Sequence, residues 1–276
     1  MAGFDAFRYD GKRVLVVGGA TGMGAAAAQT VADAGAEVTV FDIAPVTYGG
    51  VTPVEVDVRD RAALDAAIDA IEGKIDALFC AAGVADCPDV MKVNFIAHRH
   101  LIERLIDAGT LSRGSAICMI SSVAGIGWEA ALPTLIDFLE SPDLEAADKW
   151  VASHEGTNSY MFSKQAMNAY VARNSYPFYA KGIRINAICP GPTDTPLARA
   201  NGWLDEFGAD YREATGQETA LQPRQQGDTM VFLNSDAANG ISGVNLLVDT
   251  GHVMSSIGGT WEPGKPVIDF LMNPPV

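Results

Sequence analysis

The chain has 276 residues, a length that fits one large domain or two small ones of about 150 residues each. Hydrophobic residues make up 48% of the chain and charged residues 19%, which is typical of a globular protein and argues against disorder. Nineteen basic against 34 acidic residues give a formal net charge of −15. Because so acidic a surface repels phosphate groups, we expect neither a nucleic-acid partner nor a membrane partner.

The sequence carries no pattern of export or of metal binding. No apolar run approaches the ~20 residues that span a bilayer, and residues 1–12 lack the pattern of a signal peptide. The four cysteines form no C-x-x-C pair, and His98 and His100 are two positions apart, so their side chains diverge on a helix. We therefore predict a cytoplasmic protein with reduced thiols and no metal.

The predicted elements alternate between strand and helix along the chain. In the first half, strands are predicted at 14–18, 37–41, 53–56, 75–80 and 116–120, and helices at 24–34, 61–71 and 90–106. The second half continues with a helix at 159–180, whose last turn Pro177 is expected to break, and with strands at 183–189 and 245–248. This alternation predicts an α/β fold with a mostly parallel, seven-stranded sheet and helices on both faces.

Two stretches depart from this alternation. Residues 125–156 contain Trp128 and Trp150, with helical spacing at Leu135, Phe138 and Leu139. Residues 255–276 are rich in Gly and Pro, and we expect them to form a tail that lies over the body of the protein. Since no repeat, linker or shift in composition divides the chain, residues 1–276 are predicted to form one domain.

A glycine-rich turn, residues 18–24, follows the first predicted strand. Gly18, Gly22 and Gly24 permit a tight turn and a close approach of the backbone to a pyrophosphate, which the start of the next helix would bind. The spacing G-x-x-x-G-x-G is one residue longer than the usual dinucleotide fingerprint, and no Lys-Ser/Thr follows to make a P-loop. An ordinary turn is the alternative, but the position between strand and helix favours a dinucleotide site in a doubly wound Rossmann domain.

Asp42 ends the second predicted strand, 18 residues after Gly24. A carboxylate at this point accepts hydrogen bonds from the adenosine ribose and repels a 2′-phosphate. Neither Thr21 in the glycine turn nor Ile43 beside the carboxylate is basic. The sequence therefore favours NAD over NADP, although a solvated aspartate at a strand end is the alternative.

Tyr160 and Lys164 form a Y-x-x-x-K motif within a predicted helix. Residues four apart share a helix face, so the phenol and the ammonium can act on one bound molecule. A phenol with a pKa near ~10 is a poor base at neutral pH, but a neighbouring cation stabilises the phenolate and makes it usable. By itself this motif occurs by chance in many helices.

Together these motifs resemble those of the short-chain dehydrogenase/reductase family, and the resemblance extends from Lys12 to Val253. Its motifs occur here in the family's order: the glycine turn, Asp42, Asp57 in Val-Asp-Val, Cys80-Ala81-Ala82-Gly83, Asn94 in Lys-Val-Asn, Ile120-Ser121-Ser122, Tyr160 with Lys164, Pro-Gly-Pro-Thr-Asp-Thr at 190–195 and Val-Asp-Thr-Gly at 248–251. So many matches in one order are very unlikely by chance.

The resemblance implies catalytic roles for four side chains. Tyr160 would exchange a proton with the substrate oxygen and Ser122 would polarise that oxygen, although Ser122 could also satisfy a strand end. Lys164 would hold the nicotinamide ribose and lower the pKa of Tyr160. Asn94 would position a water in the proton relay, although it could instead be a capping residue. The expected cofactor contacts are Gly18, Thr21, Gly22, Met23, Gly24, Asp42, Ile43, Asp57, Val58, Ala81, Ala82, Gly83, Tyr160, Lys164, Pro190, Gly191, Thr193 and Thr195.

Three departures from the family pattern stand out. Cys80 and Ala81 replace two asparagines, and Val17 replaces a threonine, so hydrogen bonds near the glycine turn are lost. Ser122 and Tyr160 are 38 positions apart, more than in most members, and the additional residues fall within 125–156. A similar insertion characterises the bacterial 3α-hydroxysteroid dehydrogenase/carbonyl reductase subgroup, where it covers the helix face otherwise used for tetramer packing. We expect a homodimer or homotetramer.

The leading hypothesis is an NAD-dependent enzyme that interconverts a secondary alcohol and a ketone by hydride transfer. A steroid-like or other bulky substrate is favoured by the apolar residues of the insertion, although these could simply pack it onto the body: Trp128, Leu132, Leu135, Phe138 and Trp150. One alternative is a non-catalytic dinucleotide-binding regulator, which would have lost the Tyr or the Lys. Another is an epimerase or dehydratase, which usually carries a larger C-terminal region.

Overall fold

Seven parallel strands form one sheet in the computed structural model, which describes residues 4–272. Their order is β3-β2-β1-β4-β5-β6-β7, so the chain reverses its direction of winding between β1 and β4. This reversal opens a crevice at the carboxyl ends of the two strands. The fold predicted from the sequence is confirmed. The strands are β1 (Arg13–Val17), β2 (Glu37–Asp42), β3 (Thr52–Glu55), β4 (Ala77–Cys80), β5 (Ala116–Ile120), β6 (Arg184–Pro190) and β7 (Asn245–Val248).

Helices cover both faces of the sheet and extend beyond its carboxyl edge. They are α1 (Gly22–Asp33), α2 (Arg61–Asp69), α3 (Ala97–Asp107), α4 (Leu132–Leu139), α5 (Leu144–Ser153), α6 (Tyr160–Ala180), α7 (Pro196–Ala200), α8 (Trp203–Glu206), α9 (Ala209–Ala214), α10 (Pro223–Asn234), α11 (His252–Ile257) and α12 (Lys265–Met272). No helix between residues 4 and 272 combines the length and apolarity that crossing a membrane requires.

The alternation of side chains along each strand supplies a core on each face of the sheet. Leu15 and Val17 of β1 pack into the core shared with α2, α3 and α6. Val14 and Val16 point the other way, into the core shared with α1 and α10. Because both faces are covered, the inner strands β1, β4 and β5 are apolar at nearly every position, as is typical of parallel sheets.

The helix predicted at 90–106 is not uniform. A π-helical turn at Lys92–Ile96 precedes α3, and it contains the buried Asn94. Hydrogen bonds from Asn94 to Val84 and Ser163 connect this turn to the neighbouring segments. Hydrophobic spacing does not reveal such tertiary bonds, so the sequence predicted an unbroken helix. Wide turns of this kind recur at functional sites.

The prediction that Pro177 breaks the last turn of its helix is wrong, because α6 continues to Ala180. Pro177 and Arg173 are both exposed, so water can satisfy the Arg173 carbonyl that loses its amide partner. The next residue, Phe178, is buried with its ring edge-on to that of Tyr170, and the two ring centres are 6.1 Å apart. This contact holds the final turn in place.

The two unusual stretches are both helical. Residues 125–156, the insertion, form α4 and α5, which pack against α6 and the π-helical turn. The described part of the predicted tail forms the end of α11 and the whole of α12, with residues 273–276 outside the described range. Ile268 and Leu271 pack with Val253 in a small core of their own. The Gly and Pro content obscured the apolar spacing of α12 in the sequence.

Candidate active site

The glycine turn lies where β1 passes into α1, at the crevice between β1 and β4. Gly18 has a φ of +85°, and a Cβ there would lie 2.1 Å from the amide nitrogen of Ala82. A Cβ at Gly24 would lie 2.0 Å from the carbonyl oxygen of Gly18. Both glycines are therefore required by the packing of the chain on itself. At Gly22 there is room for a Cβ, which would lie 3.4 Å from the Thr195 methyl group, but its φ of +60° is in the left-handed region that favours glycine.

A cleft of about 390 Å³ extends from this turn along the carboxyl ends of the strands. Most of the predicted cofactor contacts line it: Gly18, Thr21, Gly22, Met23, Gly24, Asp42, Ile43, Asp57, Val58, Ala81, Ala82, Gly83 and Thr195. Sequence reasoning missed several further lining residues: Phe41, Val56, Arg59, Val84, Cys87, Asp89, Val93, Pro196 and Leu197. Several of these directly flank a predicted contact, and proximity to the motifs was the available signal.

Three carboxylates and one guanidinium line one end of the cleft. Asp42 accepts hydrogen bonds from the backbone amides of Ala20 at 2.8 Å and Ala44 at 2.9 Å. Asp57 makes a two-pronged ion pair with Arg59, and this hydrogen bonding lowers the pKa of the Asp57 carboxyl. Arg59 also lies 3.7 Å from Asp89. The positive charge of Arg59 is thus already paired.

Tyr160, Ser122 and Lys164 come together where β5 ends and α6 begins. Tyr160 is the first residue of α6, and its hydroxyl lies beside the side chain of Ser122, which follows β5. Lys164, one helical turn further, places its Nζ 5.4 Å from the centre of the Tyr160 ring. The insertion separates Ser122 from Tyr160 in sequence, yet the fold brings them into contact.

Burial raises the pKa of Tyr160 above its ordinary value, the hydrogen bond with Ser122 opposes this rise, and the carboxylate of Asp86 adds to it. The net direction is opposite to the lowering expected from the family resemblance, because loss of hydration penalises the phenolate most. The Tyr160 hydroxyl therefore retains its proton at neutral pH in this structure.

Lys164 is buried, with its Nζ donating to the carbonyl oxygen of Ile120 at 2.8 Å. Burial lowers the pKa of this ammonium to about 8, so a large share of it remains charged near neutral pH. A Cβ at Gly83 would lie 4.0 Å from this Nζ. Since Gly83 lines the cleft, Lys164 lies just behind the cleft wall.

Asn94 is fully buried, and its amide group is occupied by protein partners. Its Oδ1 accepts from the Val84 amide at 2.7 Å, and its Nδ2 donates to the Val84 carbonyl and to Ser163 Oγ. Ser163 Oγ donates in turn to the Tyr160 carbonyl at 2.6 Å. The side chain of Asn94 thus connects the cleft wall to the first turn of α6.

Of the predicted cofactor contacts at and after the end of β6, some line the cleft and others do not. Pro190, Gly191 and Thr193 are buried, and Thr193 Oγ1 donates to the Gly191 carbonyl while accepting from Gln226. These three residues are outside the set that lines the cleft, whereas Thr195 belongs to it and caps α7.

Sequence reasoning also missed Trp203, whose ring lies over Tyr160. The two ring centres are 5.1 Å apart, and Gly202 and Gly208, both with positive φ, flank the residues that carry Trp203. No motif marks this tryptophan. Its role becomes visible only when the chain after β6 folds back over the start of α6.

The cleft has the chemistry that a nicotinamide dinucleotide requires. Thr21, the residue before α1, makes no side-chain hydrogen bond to the first turn, which leaves amide donors there for an anion. Carboxylates for ribose hydroxyls line the cleft, and Lys164 lies behind its wall at Gly83. By contrast, no group of three or more His, Cys, Asp or Glu side chains within residues 4–272 could hold a metal ion.

The fold and the site define a dinucleotide-binding α/β protein with a Ser-Tyr-Lys group beside the cofactor cleft. Residues 12–132 match the family profile described as short chain dehydrogenase, and residues 147–253 match the one described as Enoyl-(Acyl carrier protein) reductase. Short-chain dehydrogenase reductase 5 of Arabidopsis thaliana is 30% identical over 89% of this chain and 95% of its own. The protein therefore belongs to the short-chain dehydrogenase/reductase family, whose members bind a nicotinamide dinucleotide, and it is an oxidoreductase.

Two further similarities place it within that family. Meso-2,3-butanediol dehydrogenase of Serratia marcescens is 27% identical over 90% of this chain and 97% of its own. The 3-alpha-hydroxysteroid dehydrogenase from Pseudomonas sp. B-0831, solved in complex with NADH, is 26% identical and superposes with a TM-score of 0.71, covering 90% of this chain and 99% of that one. The latter supports the subgroup resemblance drawn from the insertion.

Proposed function

We propose that this protein is an NAD-dependent oxidoreductase that interconverts a secondary alcohol and a ketone. The observation that carries the proposal is the placement of Ser122, Tyr160 and Lys164 together behind a cleft lined by the glycine turn. A bound nicotinamide dinucleotide supplies the hydride donor or acceptor. The presence of both Tyr160 and Lys164 argues against a non-catalytic regulator.

The preference for NAD over NADP rests on charge at one end of the cleft. Asp42, Asp57 and Asp89 line it, and Arg59 is paired with the latter two. A 2′-phosphate would meet unpaired negative charge at Asp42 and would have to break an existing ion pair to reach Arg59. Ribose hydroxyls, in contrast, can donate hydrogen bonds to a carboxylate.

Side chains of the protein itself carry out the proton transfer to and from the substrate oxygen. Tyr160 holds a proton on its hydroxyl and donates it to the oxygen of a ketone, while Ser122 donates a hydrogen bond to the same oxygen. Oxidation of an alcohol requires the phenolate instead. Because burial raises the pKa of Tyr160, alcohol oxidation is expected to speed up as pH rises, and ketone reduction to be favoured at lower pH.

The substrate class is proposed from size and polarity. The names of the two relatives given above include one small diol and one steroid, both with a secondary alcohol. Trp203 gives the site an aromatic surface next to the Tyr160 ring, which suits an apolar substrate of steroid type. The insertion does not supply this surface, because Leu135 and Phe138 of α4 are buried in the core that α4 shares with α6.

A kinetic comparison tests the proposed function. NADH formation from a panel of secondary alcohols is measured for the wild type and for Tyr160→Phe, with NAD and NADP side by side. Tyr160→Phe is expected to lower kcat by about 10²–10⁴-fold, as loss of a general acid/base does. NADH fluorescence titration serves as the control that the variant still binds cofactor. Unchanged turnover by Tyr160→Phe would contradict the mechanism, and equal use of NADP would contradict the cofactor assignment.

We also propose that the protein is a homo-oligomer and that the insertion excludes one mode of association. The helices α4 and α5 cover faces of α6 and of the π-helical turn that would otherwise be free for another subunit. A dimer is therefore expected. Light scattering that gives a four-subunit mass, with cross-links between α6 helices of different subunits, would show this proposal to be wrong.

A further inference from the structure

Asp86 lies in the loop after β4 and contacts the backbone of the catalytic tyrosine directly. Its Oδ1 accepts a hydrogen bond of 2.6 Å from the backbone amide of Tyr160, the first residue of α6. Ser159 caps the same helix through Phe162, so Asp86 and Ser159 satisfy two different amides of the first turn. The carboxylate thus bonds to the first amide of α6, which is that of Tyr160 itself.

The loop that carries Asp86 is attached at both of its ends, to the π-helical turn before α3 and to the residues just before α6. The side chain of Asn94 makes two hydrogen bonds with the backbone of Val84, and the side chain of Asn158 donates to the Pro88 carbonyl at 3.1 Å. Asp86 is exposed and lies between these two attachments. A negative charge is therefore held at the first turn of α6, beside the backbone of Tyr160.

The other charged and polar groups around Tyr160 come from three parts of the chain. Lys164, on α6, faces the ring and donates to Ile120, and Ser122 beyond β5 contributes a neutral hydroxyl. On the covering side, α8 carries the exposed carboxylates Asp205 and Glu206 next to Trp203. Among these groups Asp86 is the carboxylate whose charge raises the pKa of Tyr160.

We propose that Asp86 is a positioning residue for the reaction: its carboxylate fixes Tyr160 through the backbone amide and places a negative charge beside the residue that exchanges a proton with the substrate. The inference rests on the proposed role of Tyr160. It assigns a function to a residue outside the family's motifs. Its consequence is that the balance between reduction and oxidation depends on a side chain that does not touch the substrate.

The charge and the hydrogen bond of Asp86 can be separated by substitution. Asp86→Asn keeps an oxygen that accepts from the Tyr160 amide but removes the charge, whereas Asp86→Ala removes both. Asp107→Asn is the matched control, because it removes one exposed carboxylate at the end of α3, where the chain turns back toward the start of β5. All three variants retain the residues assigned to catalysis and cofactor binding.

The decisive measurement is the pH profile of alcohol oxidation together with tyrosinate absorbance. Asp86→Asn is expected to move the rising limb of kcat to lower pH, by roughly half a pH unit for a partly solvated neighbouring charge. For the wild type and for each Asp86 variant, the tyrosinate absorbance is also measured after adding Tyr160→Phe, and the difference gives the titration of Tyr160 alone. This titration should shift by the same amount as the rate profile. Because Asp86 is exposed, the shift should shrink in high salt. Asp86→Ala should show the same shift and a lower Tm.

The outcomes distinguish this inference from the proposed function. If Asp86→Asn titrates like the wild type and like Asp107→Asn, by both rate and absorbance, the role of Asp86 is refuted while Tyr160 catalysis stands. If Tyr160→Phe keeps full turnover, the proposed mechanism fails, and the absorbance titration alone then decides whether Asp86 acts on the phenol. A shift seen only with Asp86→Ala would make Asp86 a structural cap and would also refute the proposal.

Discussion

Two segments carry a tryptophan that packs near the start of α6, and the two tryptophans have different roles. In the insertion, Trp150 packs against Phe138 and Phe162, and its indole Nε1 donates to Asp137 at 2.6 Å. In the segment from α7 to α9, residues 196–214, Trp203 lies over the ring of Tyr160. One tryptophan holds a helix pair onto the body, and the other faces the reaction site. Aromatic composition near a site therefore does not identify the residues that meet the substrate.

The difference follows from how each segment is attached. The insertion buries Leu135 and Phe138 completely in the core shared with α6, so its apolar residues are already used. The α7–α9 segment has no fully buried large side chain among its described residues and is anchored at its far end by Tyr211, stacked on His252 and edge-on to Trp261. A segment attached at its ends can leave an aromatic face available to a ligand.

The largest expected effect is the loss of stability in Phe138→Ala. This side chain has 0% exposure and contacts the rings of Phe95, Trp150 and Phe162, so its removal should lower the free energy of unfolding by about 3–5 kcal/mol. Chemical denaturation measures this. Phe207→Ala, which removes a 44% exposed phenylalanine from the other segment, is the control and should change stability little. If Phe138→Ala changed the substrate preference at temperatures where it is folded, the insertion would also contribute to substrate recognition, which would contradict the comparison.

A smaller effect, in selectivity rather than stability, is expected for Trp203→Ala. Removing the ring over Tyr160 enlarges the substrate side of the site, so the ratio of kcat/KM for a bulky ketone to that for a small one should change by about tenfold or more. Trp150→Ala provides the matched control, since it removes a tryptophan from the insertion. Equal changes of the ratio in both variants would show that the two segments are not functionally distinct.

The smallest effect is expected from the hydrogen bond between the Trp150 indole and Asp137, which Trp150→Phe removes while keeping an aromatic ring at this position. Because this hydrogen bond lies near the surface, its loss should account for about 0.5–1.5 kcal/mol of unfolding free energy. Thermal unfolding of Trp150→Phe, Asp137→Ala and the double variant measures it, because the double variant should lose less than the sum of the two single losses. A fall in kcat of the folded variant would indicate that the insertion reaches the site after all.

Much of the fold and of the cofactor cleft could be predicted from the sequence, because both depend on local signals. The seven strands, the glycine turn at residues 18–24 and Asp42 follow from periodicity and from residues that must occur close together in the chain. The errors fall where distant contacts override local preference. Asn94 lies in a π-helical turn bonded to Val84 and Ser163, and Pro177 is tolerated because the residue after it is buried against Tyr170.

By itself the sequence determined the class of fold, the cleft and the motif that contains Tyr160 and Lys164, since strand and helix periods and close motif spacing are properties of short segments. Only the tertiary structure decided that the insertion's aromatic residues are used in packing, that Trp203 faces Tyr160, and that Asp86 bonds to its amide. These pairs are 43 and 74 positions apart for Trp203 and Asp86, respectively. Which side chains meet across such separations depends on how whole elements pack, and no local pattern in the chain encodes it.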